Sequence, residues 1–236
     1  MKPTQHLFPS LIAVALTSTA LPALAAESGF VEDAKATLNL RNFYFNRNFT
    51  NPNNAQGKAE EWTQSFILDA KSDFTQGVVG FGVDVLGMYS VKLDGGRGTA
   101  GTQLLPVHDD GRPADDFSRL GVALKAKVSK TELKVGEWMP VLPILRSDDG
   151  RSLPQTFRGG QVTSTEINGL SLYGGQFRGN SPRNDASMED MSMNGRGAFT
   201  SDRFNFGGGR SSTCLPCSRH CAGCCHGTGR RRGSGR

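Results

Sequence analysis

The sequence predicts an all-β protein, an antiparallel transmembrane β-barrel. Three observations predict it. The first is a period of two held over more than a dozen residues. Val79, Phe81, Val83, Val85, Tyr89, Val91 and Leu93 share one face with Gly87, and Val78, Gly80, Gly82, Asp84, Leu86, Met88, Ser90 and Lys92 share the other. The second is the rhythm of the connections. Short turns near 72–76, 129–131 and 167–169 alternate with long polar segments at 48–60, 94–117, 140–157 and 178–200, as in barrels with tight turns on one side of a membrane and long loops on the other. The third is composition. Only 36% of residues are hydrophobic and 30 are glycine, which suits strands that are apolar on one face alone.

The chain opens with an export signal. Met1–Ala26 carries Lys2, a short apolar run from Leu7 to Leu16, and the small-x-small motif Ala23-Leu24-Ala25. That arrangement is a secretory signal peptide, residues 1–25, cut after Ala25. The apolar run is too short for a membrane-spanning helix, which needs about 20 residues. Export of this type leads to the periplasm, the outer membrane or the medium, and the strands select the outer membrane.

The first strand, within Ala36–Arg47, alternates Leu38 and Leu40 against Asn39 and Arg41, then enters the aromatic cluster Phe43, Tyr44, Phe45. In Glu61–Lys71, Trp62, Phe66, Leu68 and Ala70 oppose Thr63, Ser65, Asp69 and Lys71. In Arg119–Ser129, Leu120, Val122, Leu124, Ala126 and Val128 oppose Arg119, Gly121, Ala123, Lys125 and Lys127. Lys130-Thr131 turns the chain into Glu132–Met139, where Leu133 and Val135 oppose Glu132 and Lys134. Gln161–Glu166 and Leu170–Phe177 flank Asn168-Gly169, a tight hairpin signal because both residues tolerate positive φ.

A strand between lipid and water must be apolar on alternate residues, its backbone satisfied by neighbouring strands. A Lys or Arg turned into lipid at mid-depth costs about 2–4 kcal/mol, which assigns Lys125 and Lys127 to the lumen. The competing reading of the same periodicity is a secreted soluble β-sandwich that binds a ligand, with a metal- or polyanion-binding tail. The export signal, the cysteine-free body and the loop rhythm favour the barrel.

The net charge of +5 comes from the end of the chain. Residues 210–236 hold six arginines and no acid, leaving 21 basic against 22 acidic side chains elsewhere. A nucleic-acid partner therefore has no footprint in the body. All five cysteines, Cys214, Cys217, Cys221, Cys224 and Cys225, lie in the same stretch.

Several phrases together resemble the OprD family of substrate-specific outer-membrane porins. They are LNLRNFYFNR (38–47), WTQSF (62–66), FTQGVVGFGVD (74–84), VKLDG (91–95), LPVHDDGRPADDFSR (105–119), VSKTELKVGE (128–137), GRSLPQTFRGGQ (150–161) and NGL (168–170). The likeness is colinear from about Phe30 to Gly208. It implies a monomeric barrel of 18 strands, of which residues 26–209 supply seven and part of an eighth, with a narrow, loop-constricted pore. It also implies passive uptake of small anionic or zwitterionic solutes bearing a carboxylate, such as amino acids, aromatic acids and some antibiotics, guided by a ladder of basic side chains. Lipid, lipopolysaccharide and the barrel-assembly machinery are the implied partners, and no cofactor is implied. Arg47 and Arg151 match ladder arginines of the family. Arg41, Arg119, Lys125 and Lys127 join them as candidates from the alternation. In a narrow pore, a row of fixed positive charges lowers the entry barrier for an anion.

The resemblance stops after FNFGGG. Residues 210–236 carry no aromatic, Val, Ile or acid and no alternation. They are read as a disordered frameshift product, which would leave a barrel with two open edges and no working channel. Cys214-x-x-Cys217 and Cys221-x-x-Cys224 have a zinc-like look, but only Ser218, Arg219 and His220 separate the pairs, too few to build a knuckle. No metal site is assigned. His108 is the one body histidine outside the signal and the tail. It sits in a loop beside Asp109 and Asp110, a solvated segment with no nucleophile arranged around it, so no catalytic residue is assigned.

Overall fold

The structure, a computed structural model, describes residues 30, 33–51, 53–94, 99–192 and 200–211. The signal peptide, the tip of the GGRGTAG loop and the cysteine-rich segment lie outside these residues. Among the described residues every regular element is a strand. They are β1 (Lys35–Asn48), β2 (Lys58–Lys71), β3 (Val79–Lys92), β4 (Asp116–Val128), β5 (Thr131–Trp138), β6 (Thr156–Ser164), β7 (Leu170–Ser181), the two-residue pair β8 (Met191–Ser192) and β9 (Thr200–Ser201), and β10 (Phe204–Ser211). Eight of them form one antiparallel sheet in the order β1-β2-β3-β4-β5-β6-β7-β10, each beside its chain neighbour. This is the up-and-down meander that the alternation of short and long connections predicts.

The two faces are unlike. Leu38, Leu40, Trp62, Phe66, Leu68, Val79, Phe81, Tyr89, Leu120, Val122, Leu124, Leu133, Val135, Val162 and Leu172 are all exposed. The ladder places them on one side of the sheet: Leu68 lies opposite Gly87, Val83 opposite Leu124, and Val85 opposite Val122. No second sheet packs on this row among the described residues. The row is a continuous apolar band, as lipid requires.

The other face is covered by the protein's own loops. Leu104 and Leu105 from the β3–β4 loop and Leu153 from the β5–β6 loop pack on Ile67, Leu86, Met88 and Phe117, with Phe43 and Phe45 alongside. A second cluster joins Trp138, Phe157, Phe177 and Met191. Phe177 is wholly buried, with Trp138, Phe157 and Phe206 rings 5.2–5.8 Å away. The crest of the β3–β4 loop, Val107–Arg112, stays exposed, closed by a bridge between Val107 and Pro113.

Several boundaries differ from the sequence expectation, two of them by four residues or more. β6 begins at Thr156 rather than Gln161, and β7 runs to Ser181 rather than Phe177. The glycine pairs at 159–160 and 174–175 hide the period there. A Cβ on Gly159 would stand 2.3 Å from the Gln176 carbonyl oxygen, so the strands approach where no side chain fits. Gly136 breaks the alternation itself. Its φ is +139°, and a Cβ there would stand 2.2 Å from the Val122 carbonyl oxygen. Glu137 then folds over Gly121 on the inner face, next to the inward Trp138.

The short turns are tied to one another. Glu166, in the β6–β7 turn, accepts the backbone N–H of Lys130 at 2.7 Å and the hydroxyls of Ser129 and Thr131 at 3.0 and 3.2 Å. The Lys130 N–H, with the two hydroxyls, holds this carboxyl below its ordinary range. A depressed folded pKa means that the tie stabilises above the unfolded carboxylate value, about 4.3, and is lost as pH falls through the folded value. The expected result is an acid-sensitive unfolding midpoint that flattens in Glu166→Gln, measured by gel mobility of the unheated protein across that range.

Candidate functional site

The infolded β5–β6 loop brings Arg151 to the aromatic ring that Arg47 also meets, with Arg41 alongside. Arg41 and Arg47 lie on β1, on the inner face with Phe43 and Phe45, because odd-numbered positions of this strand point inward. Arg151 arrives from the β5–β6 loop. Its guanidinium carbon is 5.0 Å from the centroid of Phe45, and that of Arg47 is 5.5 Å from the same centroid. Arg151 Nε donates to the Thr102 carbonyl at 3.1 Å, so the two long loops brace each other at this point. Arg41 Nη1 donates to the Arg151 carbonyl at 2.7 Å and to Asp149 Oδ1 at 2.8 Å. Arg47 has no hydrogen bond or ion pair among the described residues, and Arg151 bonds only to carbonyl oxygens. Two guanidinium groups thus share a ring with no carboxylate of their own. A ring face attracts cations, and the remaining donors are available to an anion.

The other candidates are placed differently. Arg119 faces inward as expected, but it is only 7% exposed. Its Nη1 donates to the Ser181 carbonyl at 3.1 Å, the Ser181 hydroxyl at 2.8 Å and the Pro182 carbonyl at 2.9 Å, and its Nη2 donates to the Pro154 carbonyl. The donors of Arg119 are thus taken up by the connections that cover it. Strand alternation reports which face a side chain takes, not whether a loop has occupied it. Any further strand closing a barrel would bury Arg119 more, not less. Lys125 lies about 20 Å farther along β4 by strand rise. It bridges Asp84 at 2.7 Å and the Ser72 carbonyl at 2.9 Å, while Asp84 also takes Lys134. Lys125 is therefore a wall ion pair, for the same reason: its partner sits on the neighbouring strand, out of reach of a single-strand pattern. Lys127 is exposed, with its Nζ 5.3 Å from the Phe74 ring.

Sequence reasoning missed Glu61, Asp149 and Arg183. Glu61 is wholly buried on the inner face of β2. It accepts the Thr102 hydroxyl, which in turn accepts the backbone N–H of Leu104 at 3.2 Å, clamping the β3–β4 loop as Arg119 clamps the β5–β6 and β7–β8 connections. Arg183 reaches Asp148 and Gln103 across the loop cluster. The available signal was the break in the polar row: Ile67, Leu86, Met88 and Phe117 sit on the face that should be wet.

A profile of the outer membrane porin family OprD matches residues 28–214. The chain belongs to the OprD family of outer-membrane porins. It is 71% identical over 203 residues to the porin-like protein GalP of Pseudomonas putida, covering 86% of this chain and 49% of that one. The structure is similar to a BenF-like porin from Pseudomonas fluorescens, with a TM-score of 0.74 and 79% identity, covering 78% of this chain and 47% of the other. It is also similar to OccK2 (OpdF) of Pseudomonas aeruginosa in complex with glucuronate, with a TM-score of 0.65, 66% identity and coverage of 78% and 43%. The chain thus spans about half the length of these relatives. Membership of this family places it in the outer membrane, with the apolar band as its lipid face, and its relatives are channels.

Proposed function

We propose that this segment forms the constricted half of a substrate-specific porin that passes small carboxylate-bearing solutes, such as amino acids and aromatic acids, by passive diffusion. The observation that carries this is the convergence of Arg47 and Arg151 on the Phe45 ring, with Arg41 beside them and no carboxylate on the first two. The complex of the similar OccK2 with glucuronate, a carboxylate, supports the solute class. Solute binding stays weak because exit needs it. Lys127 is a second contact on the short-turn side of the path.

In the eight-stranded sheet β1 and β10 are edges, and an unpaired edge cannot face lipid. Conduction therefore needs further strands, and the barrel-assembly machinery, lipid and lipopolysaccharide are the partners we propose. No catalytic role and no nucleic-acid partner are proposed. The test is made in a complete barrel carrying residues 35–211. Arg47→Gln and Arg151→Gln should each lower benzoate flux into liposomes about tenfold, since a hydrogen bond to a charged group contributes about 1.5–3 kcal/mol. Flux of neutral benzamide should stay unchanged. Equal benzoate flux in all three proteins would remove both arginines from the path.

A further inference from the structure

The geometry points to Asp149 as a resident carboxylate that a passing solute must displace from Arg41. The inference rests on the ladder reading of Arg41 and adds a competitor to it. Asp149 approaches Arg41 as a carboxylate solute would, fork to fork: Oδ1 is 2.8 Å from Nη1 and Oδ2 is 3.3 Å from Nη2. This paired geometry is the preferred way for a guanidinium to hold a carboxylate.

Three features make the pair exchangeable. The Asp149 side chain is 57% exposed while that of Arg41 is 19% exposed, so the carboxylate lies on the open side and can swing out without unpacking a neighbour. The Arg41 guanidinium is held in place by the Arg151 carbonyl at 2.7 Å, so it keeps its aim when Asp149 leaves. The flanking residues are anchored elsewhere: Asp148 is bound to Arg183 and to the Gly150 N–H, and Arg151 to Thr102. A swing of Asp149 therefore leaves the loop seated.

The consequence is a carboxylate-for-carboxylate exchange. A solute arriving on Arg47 and Arg151 reaches Arg41 only as Asp149 gives it up, and Asp149 returns as the solute moves on. The resident group lowers the occupancy of this rung and speeds release. It also selects by charge: a neutral solute cannot replace it. Asp149 is thus a specificity-determining residue of this pore.

The experiment uses a complete barrel carrying residues 35–211, with benzoate as the probe and benzamide as its neutral control, read as current block in planar bilayers. Asp149→Asn should lower the half-blocking benzoate concentration about threefold, the size expected for removing an exposed ion-pair competitor. It should lengthen each block and leave benzamide unchanged. Arg41→Gln should raise the half-blocking concentration, and in Arg41→Gln/Asp149→Asn the Asp149 effect should vanish. Unchanged or weaker benzoate block in Asp149→Asn, with Arg41→Gln still impaired, overturns the competitor and leaves the ladder standing. No effect of Arg41→Gln removes the ladder reading at that rung and the inference with it. Equal tightening toward benzamide means that the loop has loosened, which also overturns the inference.

Discussion

Replacing Arg119 by Met should release the constriction. The guanidinium is bonded to backbone of two separate connections, at Pro154 and at Ser181 and Pro182, and it is almost fully buried. Met fills a similar volume but donates nothing, so several carbonyl groups lose their partner in a dry site at about 1–3 kcal/mol each. The expected loss in a complete barrel is about 3 kcal/mol in urea midpoint experiments. Proteolysis should quicken within residues 140–155, and single-channel conductance should rise as the loop leaves the lumen. Arg119→Lys should recover little, because one ammonium cannot span both connections. Unchanged conductance and proteolysis in Arg119→Met would show that the hydrophobic contacts of Leu153 hold the loop unaided.

Val122→Arg should block stable insertion. Val122 is 43% exposed, pairs with Val85, and lies midway along the apolar band of β4. An arginine at the bilayer midplane of such a barrel costs about 2–4 kcal/mol, falling to about 0–1 near the interface. Val128→Arg, at the short-turn end of the same row, should therefore fold almost normally. The measure is the fraction with folded gel mobility after reconstitution into lipid vesicles. If the two variants fold equally well, this face does not meet lipid.

The wall was legible in the sequence because a strand between lipid and water writes its environment into every second residue. The row Val79, Phe81, Val83, Val85 and the row Leu120, Val122, Leu124 needed no third dimension to be seen. The short turn at Asn168-Gly169 was equally plain. The constriction was not legible in the same way. Arg119 and Lys125 follow the same parity as Arg41, yet one is a loop clamp and one a wall ion pair. The difference depends on which loop folds over which rung, and that is set by long-range contacts such as Leu153 on Ile67 and Met88. Glu61 was hidden for the same reason: its partner, Thr102, lies 41 positions along the chain. The misplaced apolar residues on the wet face, Ile67, Leu86 and Met88, were the visible trace of loops still to be located.

The clamps at Glu61 and Arg119 grip the stems of the long connections and leave the crest at Val107–Arg112 untouched. The loops that cover the inner face and the exposed outline of the crest are thereby held by separate sets of bonds. Substitutions at the crest therefore leave the clamped stems, and the arginines packed beneath them, in place.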